Sequence, residues 1–272
     1  MSHAPTDSEI ARDLEFANQI ATEAGQRSLG LRESGRWTEE KIVGDVGDQA
    51  ADGLLQGYLR GRYPEDGILS EETVDTPERL ERHRTWIVDP LDGTKEFRTG
   101  REDWAVHVAL TVDGQPALGS VALPSLGALL WGVSLEGRER YGSVGLDRPL
   151  ESGQTASPSK LRVVCSRSHT PDWMERFVSE LDAEVVRCGS VGYKASRLLL
   201  GEADVYLHKN GLKEWDTCAP EVIARSLGWH VSRLDGSAQR YNLPDPRNGE
   251  LMICRPADTE RVIAAAKTAG LL

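Results

Sequence analysis

One hexapeptide constrains this chain more than any other segment: Asp89-Pro90-Leu91-Asp92-Gly93-Thr94, directly after the apolar run Trp86-Ile87-Val88. A proline in second place disfavours helix for Asp89 and keeps it extended. Gly93 permits a tight turn and a close backbone approach. The chain must therefore leave a buried strand, place two carboxylates at its end, and turn at once. Amides from Gly93 onward can then face an anion. Carboxylate oxygens are hard ligands that suit Mg²⁺, which is commonly held by a few carboxylates together with substrate phosphate. The segment reads as a place where metal ions hold a phosphate.

With 272 residues the chain can bury a large core, as one large domain or two smaller ones. A formal net charge of −11 argues against a nucleic-acid polymer as partner, because such binding needs a basic face. It leaves a small anionic substrate open, since bound divalent cations reverse the local field. The polar, acidic start Met1 to Glu9 is not a secretory signal. The uncharged stretch Ala117 to Leu135 is interrupted by Pro124 and three glycines and reads as a β-hairpin rather than a membrane span. Cys165, Cys188, Cys218 and Cys254 are widely spaced in apolar surroundings, so buried free thiols of a cytoplasmic protein are expected.

Periodicity predicts an amphipathic helix over residues 9–29, with Thr6 and Glu9 placed as a capping box. A polar, glycine-bearing loop is expected from Gly35 to Gly47, and a second helix from Asp48 to Leu59, with Asp48 at its start. Short strands follow, with an Asp113-Gly114 turn and a hairpin at Pro124 to Gly127. The Ser/Gly/Pro/Thr-rich stretch near 151–159 marks a boundary between an N-terminal α+β metal-binding half (1–155) and a C-terminal α/β substrate-binding half (156–272). Beyond it strands and helices alternate, which suggests an α/β layer.

Further acids join the opening motif: Glu71-Glu72 after Gly67 to Ser70, Asp216 after Trp215, and Asp48. Singly, an acid at a helix start is a cap favoured by the helix dipole, and an acidic pair in a loop is solvated. Together, Glu71-Glu72, Asp89 to Phe97 and Trp215-Asp216-Thr217-Cys218-Ala219-Pro220 resemble the inositol monophosphatase superfamily of Mg²⁺-dependent, lithium-sensitive phosphatases. The resemblance implies a layered α/β/α/β/α sandwich and two or three Mg²⁺ ions. It places Glu71, Asp89 and the Leu91 carbonyl on one metal, and Asp89, Asp92 and Asp216 on a second. Asp48 matches the acid that pairs with Thr94, and the segment with Lys41 loosely matches a mobile metal-binding loop. Relatives are often dimers, which gives some reason to expect a homodimer.

Ser166-Arg167-Ser168-His169, Gly189 to Lys194 and the continuation Lys95-Glu96-Phe97 resemble the 3′(2′),5′-bisphosphate nucleotidase branch of that superfamily. This implies removal of the 3′-phosphate of 3′-phosphoadenosine 5′-phosphate, and of its sulfated form, in sulfur assimilation. A bisphosphate needs donors away from the metals: backbone amides at Gly189 and Ser190, and the charge of Lys194 one turn on. Ser166 and His169 could meet the nucleoside, and Leu91, Asp92, Gly93, Thr94 and Asp216 the scissile phosphate. Catalysis is expected from Asp48, Thr94 and Glu71, which serve the attacking water. An inositol-1-phosphatase or fructose-1,6-bisphosphatase on the same scaffold stays open, as does a non-catalytic regulator that binds metal and nucleotide.

Overall fold

A computed structural model describes residues 5–135 and 137–272. Helix α1 (Asp7–Glu33) opens with the expected box: the Glu9 amide donates to Thr6 Oγ1 at 3.3 Å, and Thr6 N donates to Glu9 Oε2 at 2.8 Å. Its apolar face, with Ile10, Ala17, Ile20, Ala21 and Ala24, is fully buried. Helix α2 runs from Glu40 to Arg62, so the expected loop from Gly35 to Gly47 and the helix start at Asp48 are both corrected. Lys41 lies in the first turn of α2 and Asp48 deep inside it. The glycines that suggested a loop serve packing instead. A Cβ on Gly47 would sit 2.5 Å from the Phe97 ring, and one on Gly44 would sit 3.1 Å from Thr94 Cγ2. An interior glycine costs a helix about 1 kcal/mol; here it lets α2 lie directly against the turn after Asp92.

Two sheets carry the rest. The first has strands in sequence order: β1 (Gly67–Ser70), β2 (Arg84–Asp92), β3 (Ala105–Val112), β4 (Gln115–Leu123), β5 (Ala128–Val133) and β6 (Arg140–Val144). Only the β1–β2 pair is parallel. The β3–β4 turn uses Asp113 (φ 51°) and Gly114 (φ 72°), as two adjacent left-handed residues in a tight hairpin require. Short helix α3 (Thr94–Arg98) follows β2. The second sheet has the order β10 (His230–Ser232), β11 (Arg247–Cys254), β9 (Val205–Lys213), β7 (Arg162–Ser166), β8 (Glu184–Cys188). Helices α4 (Met174–Leu181), α5 (Val191–Leu199), α6 (Glu214–Ser226) and α7 (Thr259–Thr268) complete the chain.

Three cores define the layers. One packs α1 and α2 on the first sheet through Phe16, Ile20, Leu55, Trp86 and Val88. A central one sandwiches α5 and α6 between the sheets, joining Ile87 and Ala109 to Ala195, Ile223, Tyr206 and Ile253. The third places α4 and α7 on the outer face of the second sheet through Phe177, Val262 and Met252. The order is helices, sheet, helices, sheet, helices, as the family resemblance implied. Strand β2 alternates Trp86 and Val88 to one core and Ile87 to the other, so it is apolar on both faces. The four cysteines are buried free thiols. No helix of the described residues is long and apolar enough to cross a membrane.

Candidate active site

Gly93 sits at φ 94°, a left-handed conformation that glycine takes without strain. It turns the chain out of β2, so that Asp89 and Asp92 end up beside the first turn of α6, where Asp216 lies. One carboxylate oxygen from each of Asp89, Asp92 and Asp216 lies within 4.8 Å of the others. Asp89 Oδ1 accepts the Leu91 amide at 3.1 Å, and Asp216 Oδ2 accepts the Lys213 amide at 2.6 Å. Burial first, and then the charges of Glu71, Asp92 and Asp216, drive the Asp89 carboxyl well above its ordinary range. Burial and Asp92 push Asp216 up to about 7. Glu71 stands at the exposed rim, yet enclosure of its carboxylate, followed by Asp216 and Asp92, raises it to about 7. Convergent acids that resist ionisation together form a site short of positive charge.

Asp48 reaches this cluster from the middle of α2. Burial, then Glu72 and Glu71, lift it to about 8, against the nearby Thr94 hydroxyl. Thr94 Oγ1 donates its one proton to the Leu91 carbonyl at 3.2 Å. One turn beyond Asp48, Asp52 accepts the hydroxyls of Ser70 and Thr73, each at 2.7 Å. These two residues flank Glu71-Glu72, so α2 holds both Asp48 and the acidic pair in register.

Asp92 behaves differently from its neighbours. Burial alone would raise it, but His107, Ser190 and Lys194 hold it well below the usual carboxylate range. Ser190 Oγ donates to it at 2.5 Å, and the amides of Val191 and Gly192 at 3.0 and 2.7 Å. His107 Nε2 lies 3.2 Å from its Oδ2. The sequence reading missed His107. Its only local signal is one imidazole inside the otherwise apolar strand pattern of β3, opposite Asp89 in the ladder. The Gly189 amide, expected to face substrate, is engaged elsewhere, as is the Ser190 side chain, though not the Ser190 amide expected to donate. The Gly189 amide is taken by Asp103 at 2.5 Å, and the Ser190 hydroxyl by Asp92. Both serve the site from behind, because the start of α5 caps itself on Asp92.

Beside the cluster lies a cavity of about 240 Å³. Ser166, His169, Lys194 and His208 give it polar walls, and Pro171, Trp173 and Met174 an apolar one. Lys194 is 4% exposed, with Nζ 5.4 Å from the centre of the Tyr206 ring. Among the described residues it makes no salt bridge, while its charge is felt at Asp92 and Asp216. His208 Nε2 faces the Asn210 carbonyl at 2.8 Å and so carries the proton there, while Nδ1 accepts from Tyr206 at 3.2 Å. Of the site residues expected from sequence, Asp48, Glu71, Asp89, Asp92, Thr94 and Asp216 converge, and Ser166, His169 and Lys194 share the adjoining cavity.

The inositol monophosphatase family model matches residues 6–270. A 3′-phosphoadenosine 5′-phosphate phosphatase of Mycobacterium leprae is 39% identical over 253 residues, covering 89% of each chain. A 3′(2′),5′-bisphosphate nucleotidase CysQ of Salmonella typhimurium is 30% identical over 84% of this chain and 93% of its own. The crystal structure of CysQ from Bacteroides thetaiotaomicron, a bacterial member of the inositol monophosphatase family, superposes with a TM-score of 0.76 at 27% identity. That match covers 90% of this chain and 97% of that one.

Proposed function

Since this chain belongs to the inositol monophosphatase family, we propose that it hydrolyses the 3′-phosphate of 3′-phosphoadenosine 5′-phosphate, and of its sulfated form, with Mg²⁺. The observation that carries this reading is Lys194. A nearly buried ammonium without a carboxylate partner, facing a cavity next to a carboxylate cluster, calls for a second anionic group on the substrate. The neighbouring Trp173, Pro171 and Met174 give the flat apolar surface that a nucleobase needs. The relatives named above act, by their names, on nucleotides of this type.

The donor set fits Mg²⁺: oxygen ligands only, and acids whose mutual repulsion a cation would relieve. Asp89, Asp92, Asp216, Glu71 and the Leu91 carbonyl would hold two or three ions. Such ions, when bound, lower the pKa of water and offset charge on the leaving oxygen. The protein's own groups do the rest. Asp48, beside Thr94 and ionised once the charges of Glu72 and Glu71 are offset, takes a proton from the attacking water with Glu71 alongside. Gly93 and Thr94 face the scissile phosphate. Ser166, His169 and Lys194 hold the rest of the nucleotide. The water oxygen bonds to phosphorus as the ester bond breaks, and the ribose oxygen leaves as a hydroxyl by taking up, through solvent, the proton equivalent that Asp48 removed.

The test is phosphate release from 3′-phosphoadenosine 5′-phosphate, inositol 1-phosphate and fructose 1,6-bisphosphate at equal Mg²⁺. The nucleotide should be hydrolysed far faster, with inhibition by Li⁺ and Ca²⁺ and loss of activity in chelator. Preference for either sugar phosphate would reassign the substrate. Nucleotide binding without phosphate release would make the protein a regulator.

A further inference from the structure

Arg79 lies in the 3₁₀ turn Pro77–Glu81, outside the cluster, and is 2% exposed. Its Nε and Nη2 donate to the two carboxylate oxygens of Asp75 at 2.6 and 2.8 Å. Nη1 donates to Asn242 Oδ1 at 2.7 Å, and Nη2 also to the Leu243 carbonyl at 2.8 Å. Asn242 Nδ2 returns a bond to the Arg79 carbonyl at 3.2 Å. The amides of Asn242 and Leu243 in turn donate to the two oxygens of Glu214, at 2.6 and 2.9 Å. Glu214 is fully buried at the start of α6, and its own amide donates to the Pro246 carbonyl at 2.8 Å. The stretch 241–246 is thus a strap across the first turn of α6, two residues before Asp216. Asp75 stands four residues after Glu71. One guanidinium therefore joins the segment bearing Glu71 to the helix turn bearing Asp216, across more than 160 residues of chain.

We propose that Arg79 is a positioning residue for the metal site: by joining Asp75 to the strap on α6, it fixes the spacing between Glu71 and Asp216. The proposal rests on the reading of those two carboxylates as metal ligands. Its physical reason is their like charge. Without a cation they repel, and the Arg79 frame joins the Asp52 contacts on the Glu71 side in keeping them together. A frame that holds ligands before the ion arrives spares the ion the cost of gathering them. Its loss should appear in Mg²⁺ affinity and in the mobility of the metal-free protein, and much less in turnover at saturating Mg²⁺.

Arg79→Met keeps the apolar stem and removes every guanidinium bond. Asn242→Gly removes the acceptor for Nη1 and the donor to the Arg79 carbonyl, at a backbone position (φ 56°) that glycine adopts freely. Arg84→Met is the control, since it breaks buried ion pairs with Asp13 and Asp66 at the far end of β2. Calorimetry should give Mg²⁺ binding about ten- to a hundredfold weaker for Arg79→Met, and a smaller loss in the same direction for Asn242→Gly. Amide hydrogen exchange in metal-free protein should accelerate over 71–76. Arg84→Met should lower the melting temperature and change neither quantity. If Arg79→Met fails to fold, Asn242→Gly decides alone. Wild-type Mg²⁺ affinity and wild-type exchange in the variants that fold, with affinity still weakened by Glu71→Gln, would overturn the role of Arg79 only. Wild-type affinity in both Glu71→Gln and Asp216→Asn would overturn the metal reading and this proposal with it.

Discussion

His107 Nε2 lies 3.2 Å from Asp92 Oδ2, while His107 Nδ1 faces the Trp215 carbonyl at 3.0 Å. Nδ1 has an acceptor, and the carboxylate beside Nε2 favours the imidazolium through its charge, although that nitrogen makes no aligned hydrogen bond. Burial opposes that charge, but Asp92 and the Trp215 carbonyl raise His107 above its ordinary value. The pair links the end of β2 to the residue before Asp216.

Removing His107 takes the nearest positive charge from buried Asp92, leaving it to the hydrogen bonds of Ser190, Val191 and Gly192. His107→Ala should destabilise the metal-free protein by about 3–5 kcal/mol, measured by urea unfolding. Saturating Mg²⁺ should narrow the deficit, because a cation at Asp92 replaces the lost charge. An equal deficit with and without Mg²⁺ would show that Asp92 does not meet the ion.

Asp48→Asn keeps shape and polarity but removes the proton acceptor beside Thr94. Turnover should fall about 10²–10⁴-fold, with nucleotide binding by calorimetry nearly unchanged. Near-normal turnover would leave water activation to Glu71 and the ions.

Lys194→Ala should weaken binding of 3′-phosphoadenosine 5′-phosphate and leave 3′-AMP almost unaffected. A hydrogen bond to a charged group is worth about 1.5–3 kcal/mol, or roughly ten- to a hundredfold. Competition binding of the two nucleotides to both proteins reads this directly; equal losses for both would remove the second-phosphate role.

Burial, followed by the charge of Lys194, depresses His208 to about 4 from a reference value of 6.5. Between those values the unfolded chain binds more protons at this residue than the folded one. The stability it contributes is complete above the unfolded value and is lost as pH falls from 6.5 towards 4. His208→Gln should therefore be less acid-sensitive than the parent in urea midpoints compared at neutral and mildly acidic pH. Parallel losses in both proteins would show that His208 titrates normally.

The acids that cluster at the end of β2 could be picked out from the chain where their information is local. Asp89 to Thr94 combines a strand end, two carboxylates and a glycine turn within one short segment, whereas Asp216, alone no more than a helix-start acid, joins them through the family resemblance of the segment Trp215 to Pro220. The alternation of strands and helices after residue 160 is local too, since hydrophobic period reports the face each element buries. What only tertiary structure decided is where short-range signals are ambiguous or partners lie far apart. Gly44 and Gly47 resemble loop residues until Phe97 and Thr94 are seen to need their missing side chains, which moves the start of α2 back to Glu40. The start of α5 resembles a phosphate cradle until Asp92 and Asp103 are seen to occupy its donors. His107 meets Asp92 through the β2–β3 ladder and the packing of α5 and α6 between the sheets, and Arg79 meets Asn242 from 163 residues away. Sequence determines which groups can hold charge. Packing determines which of those charges are paired, because burial makes an unpaired one too costly to keep.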